Sequence, residues 1–176
     1  MNHDSYSPDY VANILRDVKT IALVGASNNE VRPSYFVMKY MIEKGYTVFP
    51  VNPGLAGKEI LGQVVYASLA DIPVPIDMVD IFRNSEAAGS ITREALALKI
   101  KPQVIWMQLG VRNDEAAVLA EAEGLRVVMD RCPKMEFGKN SGEWAWVGGN
   151  SGVISSKRQV LNANGRMQSL GIAPRR

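Results

Sequence analysis

Two kinds of hydrophobic pattern alternate along the 176-residue chain. The run 20–26 (Thr-Ile-Ala-Leu-Val-Gly-Ala) is apolar almost throughout and ends in glycine, as expected of a strand buried on both faces of a parallel sheet. Ahead of it, Tyr10, Val11, Ile14, Leu15 and Val18 recur at helical spacing behind Ser7-Pro8-Asp9. That triplet supplies an N-cap serine, a proline for the first turn and an acid facing the helix dipole. Further on, helices are predicted at 34–44, 86–98 and 115–123, the first and last closed by Gly45 and Gly124. Strands are predicted at 46–51, 78–82, 104–108 and 126–129. Alternation of this kind specifies an α/β, doubly wound Rossmann-like fold with a five-stranded parallel sheet flanked by helices. The simplest strand order is 3-2-1-4-5, with the ligand crevice at the carboxyl ends of strands one and four.

Past about residue 135 the alternation stops. Residues 137–176 hold 7 of the 15 glycines, together with asparagines, serines and basic residues. The chain therefore divides into a Rossmann-like domain over 1–136 and a basic Gly/Ser/Asn-rich extension over 137–176, read as loosely ordered. Trp144, Trp146, Val147, Val153 and Ile154 could dock one short stretch of it onto the body. Charge follows the same division. The first 136 residues carry 14 Lys and Arg against 17 Asp and Glu, net −3, and the extension carries 6 against 1, net +5. A slightly acidic body gives no reason to expect nucleic-acid binding as its main role, because such binding rests on neutralising many phosphates.

The opening residues are polar and acidic, and no stretch stays apolar for the ~20 residues that a membrane span needs. A cytoplasmic protein is expected. The single cysteine, Cys132, excludes an intrachain disulfide and a cysteine-cluster metal site. The single histidine, His3, falls in what reads as a frayed terminus, so triad chemistry has poor footing.

Candidate chemistry concentrates after the first strand. Gly25-Ala26-Ser27-Asn28-Asn29-Glu30 occupies the position of a nucleotide-binding turn. Glycine permits the tight turn, and Ser27 with backbone amides could hold a phosphate; the alternative is a plain strand-to-helix turn with a serine cap. The dinucleotide fingerprint Gly-x-Gly-x-x-Gly is broken, since Ser27 and Glu30 stand at its second and third glycines. Val51-Asn52-Pro53 stands where an NAD site wants an acidic residue. Arg32, directly before Pro33-Ser34-Tyr35, could reach a phosphate at the helix start.

Several motifs then occur in a telling order: Gly25-Ala26-Ser27, Arg32-Pro33-Ser34-Tyr35, the stretch 46–53 (Tyr-Thr-Val-Phe-Pro-Val-Asn-Pro), Ile60-Leu61-Gly62, and 77–83 (Asp-Met-Val-Asp-Ile-Phe-Arg). Trp106-Met107-Gln108-Leu109-Gly110 and Asp130-Arg131-Cys132 complete the set. From about Ile14 to Glu136 the chain resembles the bacterial CoA-binding domain proteins, a family that itself resembles the amino-terminal domain of the succinyl-CoA ligase alpha subunit. The resemblance implies that the Gly25 turn with Ser27 holds the phosphates of coenzyme A. It implies that Val51, Asn52 and Pro53 border the adenosine half, and that Phe82, Arg83 and Gln108 to Gly110 line the crevice near the pantetheine arm. An acid at the end of strand two would repel the ribose 3′-phosphate of CoA, so Asn52 with Lys58 or Arg32 nearby suits that charge. The ligase's second domain and its phosphorylated histidine have no counterpart here, so its reaction does not carry over.

The remaining residues read mainly as structural. Asp80, inside an apolar strand near Arg83, is expected to be a satisfied buried acid, although paired with Asp77 it could serve acid/base work. Trp106 is expected in the core. Cys132, if Arg131 lowered its pKa, could form a mixed disulfide with the CoA thiol, and otherwise is an ordinary small residue. These readings point to a non-catalytic carrier, sensor or regulatory module for CoA or a short acyl-CoA, with a protein partner left open. An NAD(P)-binding oxidoreductase or nucleotide-sensing module is the alternative. A further alternative is an interaction factor acting through the basic extension.

Overall fold

The computed structural model describes residues 1–141; the extension from 142, with its tryptophans, lies outside the described residues. Helix α1 (Pro8–Asp17) starts as its sequence dictates, Ser7 accepting the Tyr10 amide at 3.2 Å. There follow β1 (Thr20–Val24), α2 (Pro33–Glu43), β2 (Thr47–Val51), a short hairpin of β3 (Glu59–Ile60) and β4 (Gln63–Val64), and β5 (Met78–Ile81). The chain continues through α3 (Ser85–Leu96), β6 (Val104–Met107), α4 (Asp114–Ala122), β7 (Arg126–Val128) and α5 (Pro133–Asn140). The five long strands form one parallel sheet. Helices α1, α2 and α5 cover the face that holds Leu23, Met78 and Trp106, and α3 and α4 cover the face that holds Ile81, Ile105 and Val127. The doubly wound α/β architecture is as the alternation predicts.

Strand order is not. The sheet runs β2-β1-β5-β6-β7, so its third strand in sequence pairs with β1 rather than outside β2, and the reversal falls between strands one and three. The reason is local to β2. Its odd residues bond inward, with Thr47 donating to Lys19 and Val51 accepting from Gly25, while Pro50 and Asn52 face outward to Tyr66. Pro50 has no N–H to offer, so its place on an outer edge costs no ladder bond. The segment after β2 first lays Tyr66 along the outer edge of β2 and then crosses over β1 to β5 without a long helix.

At the opposite edge, β7 is closed by tyrosines. The Tyr10 hydroxyl donates to the Val127 carbonyl at 3.2 Å and accepts from the Val127 amide at 3.1 Å, and the Tyr6 hydroxyl accepts from the Met129 amide at 2.8 Å. The outward polar groups of an edge strand are thus occupied. The terminus ahead of α1 is not frayed: His3 is buried, its Nδ1 2.9 Å from the Tyr6 hydroxyl and its Nε2 3.3 Å from Glu121. Hydrogen bonds and an ion pair to residues distant in sequence, not local propensity, hold it. The expected boundary at 136 falls inside α5, whose Phe137 packs edge-on against Tyr40 and Tyr46.

Polar groups in the sheet are accounted for. Asp77 accepts the Lys19 and Thr20 amides at 2.8 and 2.9 Å and the Gln103 side-chain amide at 3.1 Å. Burial works against its charge, but the bonds from Thr20, Lys19 and Gln103 outweigh it and hold the carboxyl below its usual range. Asp80 is fully buried and takes both its bonds from the Gln108 amide, at 2.9 and 3.1 Å, not from Arg83. It is a satisfied buried acid. Burial pushes its pKa up to about 8, against the smaller opposing pull of Gln108. Between pH ~4 and 8 the folded chain therefore holds a proton that the unfolded chain has released, so this group's contribution to stability is greatest below pH ~4 and is lost as pH rises toward 8. Asp80→Asn, isosteric with the protonated form, is expected to remove that slope. It should leave the protein more stable than the parent at pH 8, with little difference at pH 4, in denaturant titrations across that range.

Candidate functional site

The reversal between β1 and β5 sends α2 to one face of the sheet and α3 to the other, and opens a crevice between the loops that leave their carboxyl ends. Gly25 forms its floor. It has φ +94°, and a Cβ there would lie 3.0 Å from the Phe82 carbonyl oxygen and 3.1 Å from the Arg83 Cδ. Only glycine meets both conditions. Phe82 and Arg83 are consequently brought directly against the turn. Phe82 is half-buried, its amide bonded to Val24, and Arg83 is exposed with its stem crossing Gly25.

The turn is organised by bonds within itself and to β2. Gly25 and Ala26 both donate to the Val51 carbonyl, at 3.0 and 3.3 Å. Ser27 Oγ accepts the Asn29 amide at 3.1 Å, and Asn29 Oδ1 accepts the Val31 amide at 3.1 Å. Ser27 therefore does not cap a helix, because α2 begins at Pro33 with Arg32 at its N-cap and no side chain capping it. Ser34 is buried in the first turn, and the exposed Arg32 and Pro33 face the loop.

On the other side of the turn, Asn52 spends its side chain on the protein. Nδ2 donates to the Ala26 carbonyl at 2.8 Å, and Oδ1 accepts the Gly54 amide at 2.9 Å, opening the short turn Pro53–Leu55. Lys58 is exposed at the start of the hairpin, whose ends are tied by Gly57 donating to Val65 and Val65 donating to Lys58. Gly25, Ala26, Val51, Asn52, Phe82 and Arg83 thus meet at the carboxyl ends of β1, β2 and β5, while Ser27 and Arg32 lie on the loop that leaves β1 and Pro53 and Lys58 on the loop that leaves β2. Among the described residues, the side chains of Arg32, Lys58 and Arg83 make no ion pair or hydrogen bond.

The residues beyond β6 sit differently. Gln108 is 5% exposed, and its amide is turned down onto Asp80. Gly110, at φ +74°, donates to the Asp130 carboxylate at 2.7 Å. Asp130 itself has φ +53°, an uncommon conformation for which aspartate is one of the few tolerant residues. It locks the β6 and β7 loops together, a role the sequence reading missed; a strand ending on a lone aspartate was the available signal. Trp106 is fully buried in the core, its indole N–H donating to the Arg131 carbonyl at 2.7 Å. Cys132 is 1% exposed, and burial pushes its thiol up to about 11. An activated thiolate is excluded, and with it the basis for a mixed disulfide.

Known proteins carry the same arrangement. A sequence profile described as a CoA binding domain matches residues 19–138. An uncharacterized Bacillus subtilis protein, YneT, is 38% identical over 125 residues, covering 71% of this chain and 90% of that one. A solved Thermus thermophilus structure, described as cell-free ID.343, superposes with a TM-score of 0.71 at 36% identity, over 76% of this chain and 98% of that one. An ADP-forming acetate–CoA ligase of Archaeoglobus fulgidus is 30% identical over 102 residues, 55% of this chain but 15% of the ligase. The profile begins just before β1 and ends inside α5, so it spans the whole sheet and every loop of the crevice. With its fold, its glycine turn and most of its described length matched in this way, the chain belongs to the CoA binding domain family.

Proposed function

We propose that this protein binds coenzyme A or a short acyl-CoA in the crevice at the carboxyl ends of β1, β2 and β5, as a carrier, sensor or regulatory module rather than as an enzyme. The observation that carries the reading is the Gly25 turn with the Arg83 stem against it, and the unpaired cations Arg32 and Lys58 on the loops that leave β1 and β2, in a chain of this family. Most other cations of the body are engaged, as with Arg112 on Asp4 and Asp114, Arg126 on Asp17, and Lys101 on Glu123. Cations left free along one edge suit a ligand bearing several phosphates, since guanidinium and ammonium groups bond phosphate oxygens strongly.

In this reading the pyrophosphate lies over Gly25, close to Ser27 and the exposed guanidinium of Arg83, with the uncapped start of α2 contributing amide dipoles. The 3′-phosphate falls to Lys58. No acid stands at the end of β2 to repel it. The non-catalytic reading is supported, among the described residues, by Asp80 sealed beneath Gln108, the Cys132 thiol held protonated, and His3 held against Tyr6 at the β7 edge of the sheet.

Four outcomes are expected. In thermal-shift or calorimetric titration CoA should stabilise the fold, by roughly 2.7 kcal/mol at one hundred times its dissociation constant, and NADH should do far less; the reverse preference refutes the proposal. Ser27→Asp keeps an acceptor for the Asn29 amide but sets a carboxylate against phosphate, and should weaken CoA about tenfold or more with the melting temperature little changed. Arg83→Ala should act in the same direction through loss of one charge-assisted contact. Incubation with acetyl-CoA or succinyl-CoA should release no free thiol, and turnover abolished by either substitution would make the protein an enzyme.

A further inference from the structure

Asn52 makes side-chain bonds in two directions. The Ala26 carbonyl on one side belongs to the turn that follows β1, and the Gly54 amide on the other belongs to the loop that leads from β2 to Lys58. Its backbone is fixed as well, the amide donating to Tyr66 at 2.9 Å. Each side-chain group thus spends one bond on the protein, which fixes the orientation of the amide. We infer that Asn52 is a positioning residue that latches the turn carrying Ser27 to the loop carrying Lys58, and so fixes the spacing between two phosphate anchors for a ligand phosphorylated at both ends of its nucleotide. The inference rests on the proposed CoA site and names what gives that site its preference for a 3′-phosphate.

The physical argument is one of effective concentration. A ligand held at two points gains from the second only as far as the first fixes its position, and that gain falls when the two anchors move independently. In the structure the Val51 carbonyl ties the turn to the end of β2, and the Asn52 side chain alone bonds both the turn, at Ala26, and the loop, at Gly54. Remove the side chain and both loops remain, but the spacing between Ser27 and Lys58 is set only by the backbone of β2. Affinity for the ligand as a whole then declines, and the advantage conferred by the 3′-phosphate declines with it.

The experiment compares CoA with dephospho-CoA, which lacks only that phosphate, on the parent chain and on Asn52→Ala, alongside amide hydrogen exchange of the unliganded proteins. The expected result is a parent that prefers CoA by about tenfold or more, and a folded Asn52→Ala in which that preference falls toward unity. Exchange is expected to quicken in 25–31 and 53–58 but not in β5, β6 or β7. If Asn52→Ala weakens both ligands by the same factor, or neither, the latch is refuted. Should the parent bind neither ligand, the CoA reading fails, and exchange alone decides: faster exchange confined to the two loops upholds the latch, and unchanged exchange overturns it. Should Asn52→Ala not fold, Asn52→Asp takes its place in the exchange measurement, since it keeps the acceptor for Gly54 and loses only the donor to Ala26.

Discussion

The carboxyl edge of the sheet is organised by a single steric fact, the absence of a side chain at Gly25. β1 is bonded on both sides, to β2 through five register pairs and to β5 through four. Where it ends, the chain must turn away within a space already bounded by the Phe82 carbonyl, 3.0 Å from where a Cβ would be. A backbone without a side chain passes, and in passing it donates two amides to Val51 and draws the Arg83 stem against itself. The crevice, the convergence of the three loops and the free guanidinium at its mouth all follow from that close approach. Any larger residue would have to part β1 from β5 at the point where the ligand is proposed to lie.

Much of this was legible because the relevant signals are local. Ser7-Pro8-Asp9 starts α1, Gly45 and Gly124 follow α2 and α4 at positive φ, and the apolar run ending at Gly25 is a strand paired on both sides, although β5 and not β1 is central. Strand order was misread for want of weight on one residue. Pro50 lacks the donor that an interior strand must supply, which makes β2 an edge and leaves β5 no place except beside β1. Ser27 was read as a potential cap because serine commonly caps helices, whereas the helix begins six residues later and Ser27 bonds within its own turn. His3 and Gln108 were misjudged for a different reason. Gln108 bonds Asp80, and His3 is held through Tyr6, whose hydroxyl reaches Met129; no local pattern announces contacts of that range.

The polar interior shows how the two ends of the sheet differ. At the amino end, Asp77 stays charged by gathering amides and a side chain around itself. Near the carboxyl end, Asp80 has one partner and responds by holding its proton. Two aspartates three positions apart, one just before β5 and one inside it, thus reach opposite protonation behaviour, Asp80 through its burial and Asp77 through the larger set of donors around it. Gln108 is thereby committed downward, and the β6 loop presents Leu109 and Gly110, rather than Gln108, to solvent.

The tyrosine closure of β7 bears on the order in which the fold can be completed. Tyr10 meets Val127 across 117 residues, and Tyr6 meets Met129 across 123. A chain emerging amino end first from the ribosome exposes α1 long before the strand it will seal exists, and β7 is the last strand made among the described residues. During synthesis, therefore, the amphipathic helix must wait with its apolar face unburied, while the growing sheet has a bare edge at every stage. Contacts of such separation slow the final collapse. They also make it all-or-none, because the earliest and latest elements of the body become native in the same event.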